Sequence, residues 1–246
     1  MGGRAWPYDA QMAGLPLLRV GLEGLRCCRL FDAVDDERLA TIARQMRSRR
    51  FRAGETIFHQ DDPGDALHLI VSGTVKIVLP SSEGDEPAII ATLGAGDFFG
   101  ALAILDDAPR SASAVALTAT ETLILKREAF LEMVEADSAL RQSLLASLAR
   151  EIRSITDHVA DLHFLDLPGR LARRLLREAD SVSAGTTGSV IVPWPYTQSE
   201  LAGMIGGSRQ TVNRLLSDLV SQGLIRMTPG VVVIPDRAAL ERSIRR

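Results

Sequence analysis

The chain has 246 residues, 46% hydrophobic and 24% charged, an ordinary globular composition that excludes a disordered or collagen-like chain and suggests two modest domains. Its formal charge of −3 hides a division: residues 1–166 carry 17 basic and 25 acidic side chains, residues 167–246 carry 11 and 6, so a basic C-terminal third follows an acidic body. The two cysteines, Cys27 and Cys28, are adjacent and cannot staple distant segments, and no run approaches 18 apolar residues, which excludes a disulfide scaffold and a membrane span.

The N-terminal stretch has scattered Gly and Pro and is interrupted by Asp9, Gln11 and Pro16, unlike a signal-peptide core. Residues 1–25 are therefore expected to be a flexible extension, and the protein to be cytoplasmic. From Asp35 a short helix is predicted, capped by that carboxylate and apolar along Leu39, Ile42, Ala43 and Met46. Glycines then recur at 54, 64, 73, 84 and 94 between segments rich in Val, Ile, Leu, Phe and Thr. Turn signals at that spacing point to a small all-β roll, sandwich or barrel. Leu67, Leu69 and Val71 against Val75, Ile77 and Leu79 read as a hairpin about Ser72-Gly73, and segments 112–117 and 122–125 complete the β unit. A helix is predicted over Arg127–Glu135.

After Asp137-Ser138 the longest helical pattern runs to about Leu165, with late apolar positions Leu148, Ile152, Ile155, Val159 and Leu162. Steps of four and three make a coiled-coil seam. The seam has no evident partner within one chain, so a homodimer is expected. Asp166-Leu167-Pro168-Gly169 breaks this helix before the next, predicted over Arg170–Ala179.

Thr197-Gln198-Ser199-Glu200 has capping-box spacing, so a helix should begin at Gln198. Gly206-Gly207 supplies a sharp turn, Ser208 caps a second helix, and Gly223 stops it. Val212, Leu215, Leu216 and Leu219 form its buried stripe, leaving Arg209, Gln210, Asn213 and Arg214 to reach base edges in a major groove. Leu224 to Ile234, broken at Thr228-Pro229-Gly230, reads as a β-hairpin wing. Helix-turn-helix plus wing, in the basic third, predicts a module that binds double-stranded DNA.

The stretch Ser199 to Leu216 resembles the DNA-reading motif of the Crp/Fnr (catabolite activator, cyclic AMP receptor protein) family. Phe164-Leu165-Asp166 resembles that family's hinge, and Gly96-Asp97-Phe98-Phe99-Gly100 with Arg110-Ser111 its phosphate-binding cassette. The resemblance runs from about residue 30 to 236. It implies an α+β chain: a cyclic-nucleotide-binding-type β roll at 26–136, a dimerisation helix and hinge at 137–166, and a winged helix-turn-helix at 167–246. It also implies a homodimeric transcription regulator on a palindromic site, in which a ligand at the roll repositions the DNA-binding domains. Contact with RNA polymerase would fall near the Ser181–Ser189 loop.

The expected effector site comprises Gly100, Ala101, Leu102, Arg110 and Ser111, with Ile155 and Thr156 from the long helix. Gly100 opens a turn of helix whose donors can face a phosphate, and Arg110 adds a charged fork. Two departures count against tight cyclic AMP binding. Ala101 replaces the family's glutamate, an acceptor for the ribose 2′-hydroxyl whose loss costs about tenfold or more in affinity. Ile155 stands where cyclic AMP sensors offer a threonine to the purine. No cofactor is required, and cyclic AMP or another cyclic nucleotide is expected to bind weakly as effector. Gln210 replaces a glutamate of the activator's recognition helix, which shifts the base pair it faces toward A·T, and Ser208 and Thr211 are expected at phosphates.

Two adjacent thiols cannot hold an iron-sulfur cluster, and His59, His68, His158 and His163 have no zinc or haem spacing, so no metal is expected. Gly94-x-Gly96-x-x-x-Gly100 misses the dinucleotide fingerprint by one residue, and no nucleophile elbow or P-loop occurs, so an enzyme is not expected. Two alternatives stay open: an effector-independent DNA-binding regulator with a vestigial pocket, and a cyclic-nucleotide-sensing module acting on a partner protein.

Overall fold

The computed structural model describes residues 16–32, 34–81, 87–183 and 188–244. They form two compact units, one up to Ile77 together with Thr92–Glu151, the other Val78–Ala91 together with the chain from Ile152.

The first unit opens with α1 (Pro16–Cys27) and a 3-10 turn at Arg29–Phe31. The expected extension over 1–25 is thereby corrected in part: residues 1–15 lie outside the described residues, but Leu25 is fully buried in the core. Seven apolar residues from Leu17 to Cys28 suffice to make α1 a core helix despite its two glycines. Gly24 packs where a Cβ would lie 3.1 Å from Leu123 and 3.2 Å from Val71. α2 (Asp36–Gln45) follows, and the Asp35 carboxylate accepts from the Arg38 amide as its N-cap.

Eight strands come next, interrupted by one short helix. They are β1 (Arg47–Phe51), β2 (Thr56–Phe58), β3 (Ala66–Ser72), β4 (Val75–Leu79), β5 (Ala88–Leu93), β6 (Phe98–Phe99), then α3 (Ala101–Leu105), β7 (Ser113–Ala116) and β8 (Thr120–Lys126). One sheet has the order β1-β8-β3-β6 and the other β2-β7-β4-β5. The expected hairpin about Ser72-Gly73 is therefore not formed, because β3 and β4 belong to different sheets. The chain turns a corner there instead. Gly73 has φ +88°, and a Cβ on it would sit 2.4 Å from the Ala119 carbonyl oxygen, while the Thr74 amide donates to Thr118 Oγ1 at 2.9 Å.

The corner explains why β3 is buried on both faces. Leu67 and Leu69 join a core with Leu30, Phe31, Leu39, Leu125 and Phe130, whereas Ile70 joins Val75, Phe99 and Ala114 between the sheets. α4 (Arg127–Ala136) and α5 (Ser138–Phe164) follow. The Asp137 carboxylate accepts from the amides of Ala139 (2.8 Å) and Leu140 (3.2 Å), and these bonds hold it below the ordinary carboxylate range.

The second unit contains α6 (Leu167–Val182), β9 (Val190–Pro193), α7 (Gln198–Ile205), α8 (Arg209–Ser221), β10 (Arg226–Thr228), β11 (Val231–Ile234) and α9 (Arg237–Arg242). Asp166 caps α6 by accepting from the Gly169 amide, with Pro168 in the first turn, where its missing N–H costs nothing. Leu171, Leu175, Leu201, Val212, Leu216, Val232, Ile234 and Leu240 are buried in its core. β11 pairs with β10 on one side and β9 on the other, so the wing is anchored to a third strand that the sequence pattern did not reveal. Of the expected 181–189 loop, residues 181 and 182 end α6, and 184–187 lie outside the described residues, as does the expected turn at Gly84.

Candidate nucleic-acid interface and effector site

α7 and α8 form the predicted helix-turn-helix. Both hydrogen bonds of the capping box are present: the Glu200 amide donates to Thr197 Oγ1 (3.2 Å) and the Thr197 amide to Glu200 Oε2 (2.8 Å). Gly206 turns the chain at φ +71°, a conformation that glycine adopts without strain. The Ser208 hydroxyl accepts from the Thr211 amide at 3.2 Å and lies 2.9 Å from Thr211 Oγ1, so both hydroxyls expected at phosphates are gathered at the start of α8. Val212, Leu215, Leu216 and Leu219 are buried as expected, which turns Arg209, Gln210 and Arg214 to solvent. Among the described residues those three make no hydrogen bond or ion pair. Asn213 differs: its Oδ1 accepts from Gln198 Nε2 at 2.9 Å.

The roll places Gly100, Ala101 and Arg110 together. Gly100 has φ +84°, and a Cβ there would meet Arg110 Nη1 at 2.5 Å. Arg110 is only 3% exposed; its Nη1 donates to the Gly100 carbonyl and its Nη2 to the Ala66 carbonyl, each at 2.7 Å. Two of its five N–H groups are thus committed to backbone, and buried Nε has no hydrogen-bond partner among the described residues. Burial lowers the guanidinium's pKa, opposed by Asp65 and Asp62. α3 is five residues long, with Ala101 buried in the apolar core and Leu102 and Ser111 exposed. Ile155 and Thr156 belong to the other unit, where Ile155 is exposed and the Thr156 hydroxyl donates to the Ile152 carbonyl at 2.9 Å.

Sequence reading missed an aromatic cluster inside the roll. His68 stacks on Phe99 with ring centres 5.0 Å apart, Phe58 lies 5.8 Å from His68, and the Arg110 guanidinium sits 4.3 Å above the Phe58 ring. Burial first, then Arg110 and Arg49, push His68 down to about 3, so it is neutral at pH 7. The signal available was alternation: His68 shares a face of β3 with Ile70. Cys28 is held as a neutral thiol, pushed up to about 12 by burial.

Residues 48–137 match the model of the cyclic nucleotide-binding domain, and residues 169–243 that of the Crp-like helix-turn-helix domain. The chain is 35% identical over 216 residues to a CRP-like cAMP-activated global transcriptional regulator of Mycobacterium tuberculosis, covering 88% of this chain and 96% of that protein. The chain belongs to the Crp/Fnr family of transcription regulators. Another Crp-family relative, the cyclic AMP receptor protein of Thermus thermophilus, is 34% identical over 212 residues, 86% of this chain and 94% of that one. Among solved structures, FixK2 from Bradyrhizobium japonicum matches with a TM-score of 0.70 at 26% identity, over 80% of this chain and 96% of that chain. As a Crp-family member the chain is a DNA-binding transcription regulator with a cyclic nucleotide-binding domain. Among the described residues no helix is long and apolar enough to cross a membrane.

Proposed function

We propose that this Crp-family regulator is a cytoplasmic homodimer that reads a palindromic DNA site with Arg209, Gln210 and Arg214. Ser208 and Thr211 contact phosphates, and a cyclic nucleotide binds the roll weakly through Gly100, Leu102, Arg110 and Ser111. The observation that carries the reading is the outer face of α8: three long polar side chains, exposed and without partners among the described residues, on a helix start fixed by Ser208. Dimerisation is supported by the apolar line Ile152, Ile155, Val159 and Leu162, which lies exposed on α5 with Ile152 at 65%. Leu145, also exposed, extends that line by one step, while Leu148 packs partly against the core. The likeness to a cAMP-activated regulator of Mycobacterium tuberculosis supports a cyclic nucleotide as the effector class. The lack of a carboxylate at Ala101 and the backbone commitments of Arg110 support weak binding. In the family manner, RNA polymerase is the proposed further partner.

Isothermal titration with cyclic AMP, followed by DNA affinity with and without it, tests the effector. The expected outcome is saturable binding, at least tenfold weaker than a glutamate-bearing cassette gives, with a change in DNA affinity. Specific DNA binding indifferent to every cyclic nucleotide would contradict it and leave a vestigial pocket.

A further inference from the structure

Asn213, unlike the other residues the sequence assigns to the outer face of α8, is hydrogen-bonded within the protein. It accepts from Gln198, the first residue of α7, so the bond ties the two helices of the motif together. The pair stands at an open notch of about 300 Å³ whose walls include Gln198, Asn213, Ser217, Val220, Ser221 and, from the wing, Met227. Asn213, Ser217 and Ser221 follow at steps of four and line one stripe of α8. The two serine hydroxyls are occupied: Ser217 Oγ donates to the Asn213 carbonyl (3.0 Å) and Ser221 Oγ to the Asp218 carbonyl (2.8 Å). What remains available is a set of amide protons, those on Asn213 Nδ2 and the second on Gln198 Nε2, beside the exposed apolar surface of Val220 and Met227.

An asparagine that reads adenine needs both halves of its amide, accepting from N6 and donating to N7. Gln198 Nε2 takes one of the two acceptor positions on Asn213 Oδ1, so a bidentate adenine contact would have to share that oxygen with Gln198. Free amide protons suit a phosphate oxygen, and apolar side chains beside them suit a deoxyribose. We propose that Gln198 and Asn213 act as one unit that seats a phosphodiester of the target duplex, with Val220 and Met227 against the adjoining sugar, and that Asn213 reads no base. Asn213 is then a positioning residue for Arg209, Gln210 and Arg214. The inference rests on the DNA-binding reading above.

The test measures affinities of the full-length protein, of Asn213→Ala, Gln198→Ala, the double variant and Arg214→Ala, for the selected site and for every single-base-pair change in it. Asn213→Ala and Gln198→Ala should each weaken all sequences by the same factor, about fivefold for one hydrogen bond, with base preferences unchanged. The double variant should be scarcely weaker than either single one, because the two residues form one unit. Arg214→Ala should instead flatten the preference at one base pair. If Asn213→Ala flattens a preference, if the two single effects multiply, or if neither variant changes affinity, the inference is overturned while the DNA-binding reading stands. Wild-type protein that selects no sequence would overturn both.

Discussion

Arg110 and His68 share the interior of the roll, and the two solve the problem of buried polarity in opposite ways. Arg110 keeps its charge and donates to two carbonyls, while His68 gives up its charge and stacks on Phe99. The neutral state of His68 has a pH signature. Its pKa is depressed to about 3 in the folded chain against about 6.5 when unfolded, so the unfolded chain binds the extra proton between those values. Stability attributable to His68 is full above about pH 6.5 and falls as pH drops toward 3, by about 2 kcal/mol between pH 7 and pH 5. Thermal or urea unfolding of wild type and His68→Phe at the two pH values checks this. The variant should lose less stability on acidification by about that amount, and parallel losses would show that His68 is not neutral in the fold.

At the scale of elements, one side chain bridges the junction of α5 and α6 to the end of α7. Arg170 donates from Nε to the Leu165 carbonyl (3.0 Å), from Nη2 to the Leu162 carbonyl (2.6 Å) and from Nη1 to the Ile205 carbonyl (3.1 Å), so it satisfies the open ends of both α5 and α7. Asp161 adds ion pairs to Arg177 and Arg173 across the same junction. Arg170→Ala should cost about 1–3 kcal/mol and speed amide exchange around residues 162–170 and 202–207, with α8 and the wing unaffected. Uniform exchange throughout the second unit would instead mean that Arg170 is only one of many packing contacts. The exposed line on α5 gives a second expectation at this scale. Ile152→Asp with Val159→Asp places charges in the proposed seam, so sedimentation velocity should show a folded monomer; an unchanged dimer would move the interface elsewhere.

Legibility followed periodicity. The capping box at Thr197, the Ser208 cap, the α8 stripe and the wing are readable because each depends on residues no more than seven positions apart. The effector cassette was readable only by resemblance. The hairpin at Ser72-Gly73 was misread because alternation along β3 and β4 shows faces, whereas the partner of each strand depends on Ala119 and Thr118, some 45 residues away. The extension expected over 1–25 overlaps α1, whose Gly21 and Gly24 are close-packing sites against Ala43 and Val71. The Gln198–Asn213 bond joins residues 15 apart across a turn and could not be inferred from composition.

Over the whole molecule, charge and surface divide the work. The acidic body carries the roll, and the basic third carries exposed arginines on a rigidly capped helix, so attraction to a polyanion is concentrated at one end of the chain. Two such ends are needed if the α5 seam is an interface between copies, because a twofold protein makes a twofold demand on its site. Selection of bound sequences from random duplex DNA by the full-length protein, with and without cyclic AMP, measures that demand directly. The expected product is an inverted repeat whose half-site centres lie about one helical turn apart, roughly 34–36 Å, enriched more strongly or shifted in affinity when cyclic AMP is present. Enrichment of a single unpaired half-site, or of no sequence at all, would contradict the account.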